Sequence, residues 1–228
     1  MAQSEGLDIH KLFPIDERMA IWKKSNIMFK ANIDRVIRFW NRLSDYTRGT
    51  IIKTYNKYIY LPHNNPCIIH VSDIVRYFIY GETLSAVIDE HRLRILARGL
   101  LYHHLFRKKF ADRVKAAFEL PIACTIYPYT VVGTVDVFIP SDSGRGVYIL
   151  EVKSSSTETT LNFGVLQVKA YWCMLEKLID VKVVKAYVVT PKTHLEVSRP
   201  VTRRELKRMV ELYASALGRA GGEICEER

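Results

Sequence analysis

Between residues 7 and 58 apolar side chains recur at helical spacing. In "DERMAIWKKSNIMFKANIDRVIRFWNRLSDY", Ile27, Phe29, Ile33, Val36, Ile37 and Trp40 fall near i, i+3, i+4 and i+7 and define one buried face. "LPHNNPC" at 61 to 67 interrupts the pattern with prolines and asparagines and reads as a junction. Ser72, ahead of Asp73, Ile74 and Val75, is placed to cap a helix. A longer helical pattern, with room for one break, then runs from about Leu84 to Phe118 and contains "RILARGLLYHHLFRKKF".

The period changes after Pro121. Thr125 to Val132, Val135 to Pro140 and Val147 to Lys153 are rich in Val, Ile and Tyr and predict three strands. "SDSGRG" at 141 to 146 is a turn that makes the last two an antiparallel pair. Phe163 to Ile179 predicts a helix, Val181 to Thr190 a strand, and Leu195 to Val197 a short strand. Thr202 opens a last helix with Glu205 at the capping-box position and Gly218 as its stop. Helices, then a meander, then βα elements predict an α/β or α+β domain around a mixed central sheet flanked by helices. Residues 1–65 form a helical N-terminal extension in this reading, and 66–228 the main domain.

Composition adds a partner class. The 228 residues carry 34 Lys and Arg against 24 Asp and Glu, a formal charge of +10, which favours a polyanion such as nucleic acid. No apolar run approaches the roughly 20 residues of a membrane span. The start, MAQSEGLDIHKLF, lacks the basic and apolar regions of a signal peptide, so the expected location is the cytoplasm, with no membrane partner.

The candidate chemistry lies in "VDVFIPSDSGRGVYILEVKSSS", residues 135 to 156. Asp136 interrupts one apolar strand, and Glu151 and Lys153 end the next. Two strands joined by a short turn bring Asp136 towards Glu151. Alternation puts Glu151 and Lys153 on one face. Two buried carboxylates need positive charge between them. Lys153 supplies part of it, and a magnesium or manganese ion, which prefers hard oxygen ligands, supplies more. Lys153 would then orient an attacking water or offset charge on a phosphate.

Gln167 and Tyr171, four apart in "LQVKAYWCML", share one helical face beyond Lys153. The Gln167 amide suits a sugar or phosphate; Tyr171 suits the sheet or a hydrogen bond to Lys153. In "RGLLYHHLF", Gly99 and His103 share a helical face, Gly99 permitting close approach and His103 offering an imidazole to manganese.

In order, Gly99-x-x-x-His103, Gly133-Thr-Val-Asp136, Glu151-Val-Lys153 and Gln167-x-x-x-Tyr171 resemble the motifs of RecB-like nucleases of the PD-(D/E)XK superfamily. Within that group the chain looks most like the CRISPR-associated Cas-four exonucleases and their archaeal viral relatives. "VSDIVRYFIYGE" resembles the lead-in to their histidine helix. The likeness covers about residues 68 to 192. It implies a restriction-endonuclease-like fold and magnesium- or manganese-dependent cleavage of DNA, typically single-stranded ends. It implies metal ligation by His103, Asp136, Glu151 and the carbonyl of Val152, water activation by Lys153 and substrate positioning by Gln167. A CRISPR integrase partner is implied by the likeness alone.

One departure stands out. The family's iron–sulfur cluster uses one cysteine in the lead-in and three near the C-terminus. Here the lead-in is Phe78-Ile79-Tyr80-Gly81, and Cys67, Cys124, Cys173 and Cys225 lie far apart. The expectation is therefore no cluster, with a disulfide involving Cys67 or Cys225 left open and Cys173 in the core. The missing cysteines and the added N-terminal segment favour a second reading, a DNA-binding or assembly subunit without turnover; a structure-selective endonuclease of the same superfamily is a third.

Overall fold

The computed structural model describes residues 7–29, 32–42, 49–54, 57–62, 65, 67–81, 87–144 and 146–218. Three helices come first, α1 (Ile9–Leu12), α2 (Ile15–Phe29) and α3 (Ile33–Arg42). The pattern predicted to be helical as far as residue 58 is helix through Arg42, whereas the next described residues, from Gly49, are strand. The chain next forms β1 (Gly49–Thr54) and β2 (Lys57–Pro62), an antiparallel pair. Thr50, Ile51 and Ile52 are β-branched, and cross-strand packing overrides a spacing that also suits a helix. Part of the predicted 61–67 junction, residues 63, 64 and 66, lies outside the described residues.

A short β3 (Ile68–His70) runs directly into α4 (Val71–Tyr80), whose N-cap is His70 without a side-chain cap bond. Ser72 therefore sits inside the first turn and is not the cap. A further strand, β4 (Val87–Ile88), pairs with β2, so the N-terminal unit carries its own three-stranded sheet and extends past residue 66. Helix α5 (Glu90–Phe110) starts on Asp89, whose side chain accepts from Arg92 N at 2.7 Å. The pattern predicted to continue to Phe118 stops at Phe110, and Ala117 begins β5 (Ala117–Ile126).

The central sheet has six strands in the order β3–β6–β7–β8–β9, with β5 paired to β6. They are β6 (Tyr129–Pro140), β7 (Val147–Val152), β8 (Val183–Val189) and β9 (His194–Val197) besides those above. The β5–β6 turn falls at Tyr127 and Pro128, so 129–140 is one strand rather than two split near Gly133. The turn at 141–146 is as predicted: Ser141 N donates to Gly146 O at 2.8 Å, and Gly144 supplies a φ of 66°. Both parallel and antiparallel pairs occur, so the fold is an α+β mixed sheet.

Alternation along β7 and β8 feeds two cores. Ile149, Ala186 and Val188 face α4, α6 (Glu158–Leu178) and α7 (Arg203–Ala216). Leu150, Val152, Tyr187 and Val189 face α1, α2 and α5, where Phe13, Phe106 and Phe110 pack ring on ring with centroids 4.7 to 5.2 Å apart. A smaller core joins α3, β1, β4 and α5 through Val36, Ile37, Trp40, Ile51 and Leu93. The side chains of Ile27 and Phe29 lie outside the described residues. Arg18 on α2 is fully buried and donates to the carbonyls of Thr190 and Thr193, clipping α2 to the β8–β9 turn. Thr202 and Glu205 form the predicted capping box on α7.

No helix among the described residues is long and apolar enough to cross a membrane.

Candidate active site

One edge of β6 is shared. Its residues 130–132 pair with β3 and its residues 137–140 with β7, while β5 follows the other edge. Gly133 and Asp136 lie in the stretch between β3 and β7. Asp136 fills part of that gap: its Oδ2 accepts from Val152 N at 2.7 Å, a bond that a neighbouring strand would otherwise make. The register that pairs Val137 with Leu150, carried one step on, sets Asp136 opposite Glu151.

Glu151 is 3% exposed at the end of β7. Its Oε1 accepts from Lys153 Nζ at 2.6 Å, and its buried Oε2 has no hydrogen-bond partner. Lys153 also donates to Gln167 Oε1. Gln167 Nε2 in turn donates to the Tyr171 hydroxyl at 3.3 Å. Gln167 is 5% exposed and uses both ends of its amide inside the protein, so it holds Lys153 instead of reaching a sugar or phosphate. Tyr171 is buried against Gly133, where an added Cβ would lie 2.4 Å from the ring. The approach expected of Gly99 is looser: a Cβ there would meet Ser154 Oγ at 3.5 Å, an ordinary contact.

His103 projects from α5 with Nδ1 3.5 Å from Asp136 Oδ1, while His104 points to solvent. Burial disfavours a charge on His103, but the Asp136 carboxylate outweighs it and raises the imidazole above its ordinary value. Burial likewise opposes ionisation of Asp136, yet His103, Lys153 and the Val152 amide hold it below the carboxylate range. For Glu151, burial dominates and the Asp136 charge adds to it, so the carboxyl is pushed up to about 7 despite Lys153. Both carboxylates are desolvated, and they differ because the neighbouring cations and hydrogen bonds outweigh burial at Asp136 but not at Glu151.

Among the described residues no three His, Cys, Asp or Glu side chains form a ready-made metal cage. The predicted set of His103, Asp136 and Glu151 is not closed: His103 leans on Asp136, and Lys153 holds one oxygen of Glu151. Magnesium needs less than a cage, keeping several waters and taking one or two carboxylates. The unpartnered Oε2 of Glu151 beside Asp136 fits that requirement. Val152 lines the same recess as His103 and Asp136.

That recess adds Glu119, absent from the predicted site, and Arg107, a basic residue expected to contact phosphate; their side chains pair at 3.4 Å. Glu119 had a signal in sequence, a lone acid in the apolar stretch AFELPIACTI, hidden by assigning its start to a helix. The charge pattern also offers Lys108, Lys109, Lys30, Arg35 and Arg38 as phosphate contacts: Lys109 pairs with Glu17 at 3.3 Å, Lys108, Arg35 and Arg38 are exposed, and Lys30 lies outside the described residues. Cys67 is disulfide-bonded. Cys124 and Cys173 are free and buried, and burial pushes both thiols up to about 11, so neither is a ready thiolate ligand.

No family model matches the chain, and no curated protein matches it. Among solved structures it is similar to the crystal structure of SSO0001, at 17% identity and a TM-score of 0.51, over 78% of this chain and 84% of that one. A likeness at that identity is one of fold alone, an α+β mixed sheet flanked by helices.

Proposed function

We propose that the protein is a metal-dependent deoxyribonuclease of the RecB-like PD-(D/E)XK type, acting on single-stranded DNA ends. The observation that carries this reading is Glu151 Oε2, a buried carboxylate oxygen without a partner, set beside Asp136 and Lys153. A buried unsatisfied acid costs stability, and such groups concentrate where a ligand completes them. Asp136, Glu151, His103 and the Val152 carbonyl would hold the cation. A bound magnesium or manganese ion supplies Lewis-acid polarisation of a phosphate oxygen and a more acidic water.

The chain's own residues have definable tasks. Lys153, held by Glu151 and Gln167, places an ammonium where charge grows on the phosphate and orients the water. Tyr171 and Gln167 keep Lys153 from swinging out. His103 and Asp136 form a pair that holds or releases a proton at Nδ1. The excess of cations, +10 overall, draws the phosphate backbone.

The test is cleavage of end-labelled single-stranded DNA with manganese. Glu151→Gln and Lys153→Ala should each abolish it while circular dichroism stays native. Undiminished cutting by both variants refutes the assignment. A non-catalytic DNA-binding subunit is the second reading, favoured by the incomplete three-residue cage. It predicts DNA binding without cleavage in the unaltered protein.

A further inference from the structure

The ammonium of Lys153 lies 4.9 Å from the ring centroid of Phe163, on the early part of α6. Phe163 also meets Tyr80, the last residue of α4, with centroids 6.2 Å apart and planes tilted by 34°. Tyr80 is 48% exposed and does not belong to the buried core, while Phe78 two residues earlier is 40% exposed. Gly81, at a φ of 67°, ends α4 sharply after Tyr80. Two helix ends therefore bring a partly open aromatic surface to the edge of the acid–lysine cluster.

Tyr80 thus tilts over Phe163 while 48% of its own surface stays open to solvent. We propose that Phe163 and Tyr80 form a stacking platform for the unpaired nucleobase next to the reacting phosphate. This inference rests on the nuclease reading above and names how that site would choose its strand. The chemistry favours a base over a protein segment. The ring on which the base would stack already touches the ammonium that faces the phosphate, and the surplus of cations serves a polyphosphate backbone. Inside a duplex both faces of each base are covered by neighbours, so a platform rewards single strands. Every base has a π-face, so no base preference follows.

Binding of fluorescein-labelled oligo(dT) of about 12 nucleotides is measured by anisotropy with EDTA present, alongside an abasic strand of equal length and a blunt duplex. Tyr80→Leu should weaken oligo(dT) binding about tenfold and leave the abasic strand unchanged, and Tyr80→Phe should bind like the unaltered protein. Phe163→Leu should also lose oligo(dT) selectively. The platform is overturned if Tyr80→Leu changes nothing, or weakens the abasic strand equally, or acts by altering the oligomeric state. Should the unaltered protein bind no strand, both readings fall. Should it bind and cut in a Glu151-dependent way while Tyr80→Leu is silent, only the platform falls.

Discussion

Glu119 lies across from Asp136 in the β5–β6 register, at the one interior position of that ladder where the strands do not pair. Its backbone is left-handed, at a φ of 55°. On either side the parity changes: Val135 packs into the core beneath α6, while Val137 packs into the one beneath α5. A single irregular position thus turns β6 over and delivers Asp136 to the gap between β3 and β7. Irregular strand positions of this kind re-aim side chains beside active sites.

The same position places Glu119 against Arg107, and that pair sets a prediction for DNA affinity. A phosphate must compete with Glu119 for the guanidinium. Glu119→Gln should tighten metal-free DNA binding by up to about fivefold, as expected for removing a partly exposed ion pair. Arg107→Gln should weaken it and lower the slope of log affinity against log salt by about 1. Anisotropy titrations over a salt series check both. Equal slopes for Arg107→Gln and the unaltered protein would remove Arg107 from the interface.

Titration of Glu151 predicts how stability varies with pH. Its value of about 7 exceeds the ordinary 4.5, so the folded state keeps a proton that the unfolded chain releases between them. That stabilisation is complete below 4.5 and disappears as pH rises through 7. His103, also raised, acts in the same direction, whereas the lowered Asp136 matters only in stronger acid. In EDTA, Tm should fall between about pH 5 and about pH 8, and Glu151→Gln should flatten most of that fall. On the proposed function magnesium would take the ionised carboxylate, so its stabilising effect should grow over the same range. Thermal scans with and without magnesium measure this; an undiminished slope in Glu151→Gln would contradict it.

Much of this arrangement was legible in the chain, and the exceptions have physical causes. Glu151 and Lys153 share a face because alternation is rigid within a strand, and their contact follows from spacing alone. The capping box at Thr202 and the turn at 141–146 are local chemistry and were equally readable. The strands predicted at 125–132 and 135–140 leave Gly133 between them, whereas one strand runs through it. Here it is the glycine's smallness that matters. Gln167 was read as facing the substrate; its burial depends on how α6 docks, which no local pattern records. Arg107 and Glu119 meet only through the fold.

Gly133→Ala tests the packing under the site. Its Cβ would fall 2.4 Å from Tyr171 Cε1, and a tyrosine fixed in the core has little room to withdraw. Overpacking of this kind costs about 1–3 kcal/mol. The displaced ring would pull its hydroxyl from Gln167 and so loosen Lys153. Cleavage should fall together with stability. Combining Gly133→Ala with Tyr171→Leu should recover part of the stability but not the cleavage. A Gly133→Ala protein with unchanged Tm would show that the ring moves freely.

The Lys153–Glu151 pair allows the sharpest energetic test, because loss of one partner strands the other in a buried site. Lys153→Met should destabilise by up to about 3 kcal/mol at pH 8, where Glu151, having lost the cation that held its carboxyl down, must either stay an unpaired buried anion or take up a proton. At a pH well below the Glu151 value of about 7 the carboxyl protonates and the penalty should shrink. Adding Glu151→Gln to Lys153→Met removes the stranded charge and should restore stability at pH 8, a coupling that a double-mutant cycle in urea measures directly. On cleavage the two changes behave differently. Lys153→Met should lower kcat by about 10²-fold or more with little change in KM, as for a group that acts on the reacting centre. Gln167→Leu should lower kcat less, because it disturbs only the hold on Lys153. Additive stability losses in the cycle, with no recovery in the double variant, would mean that the ammonium and the carboxylate are not coupled in solution.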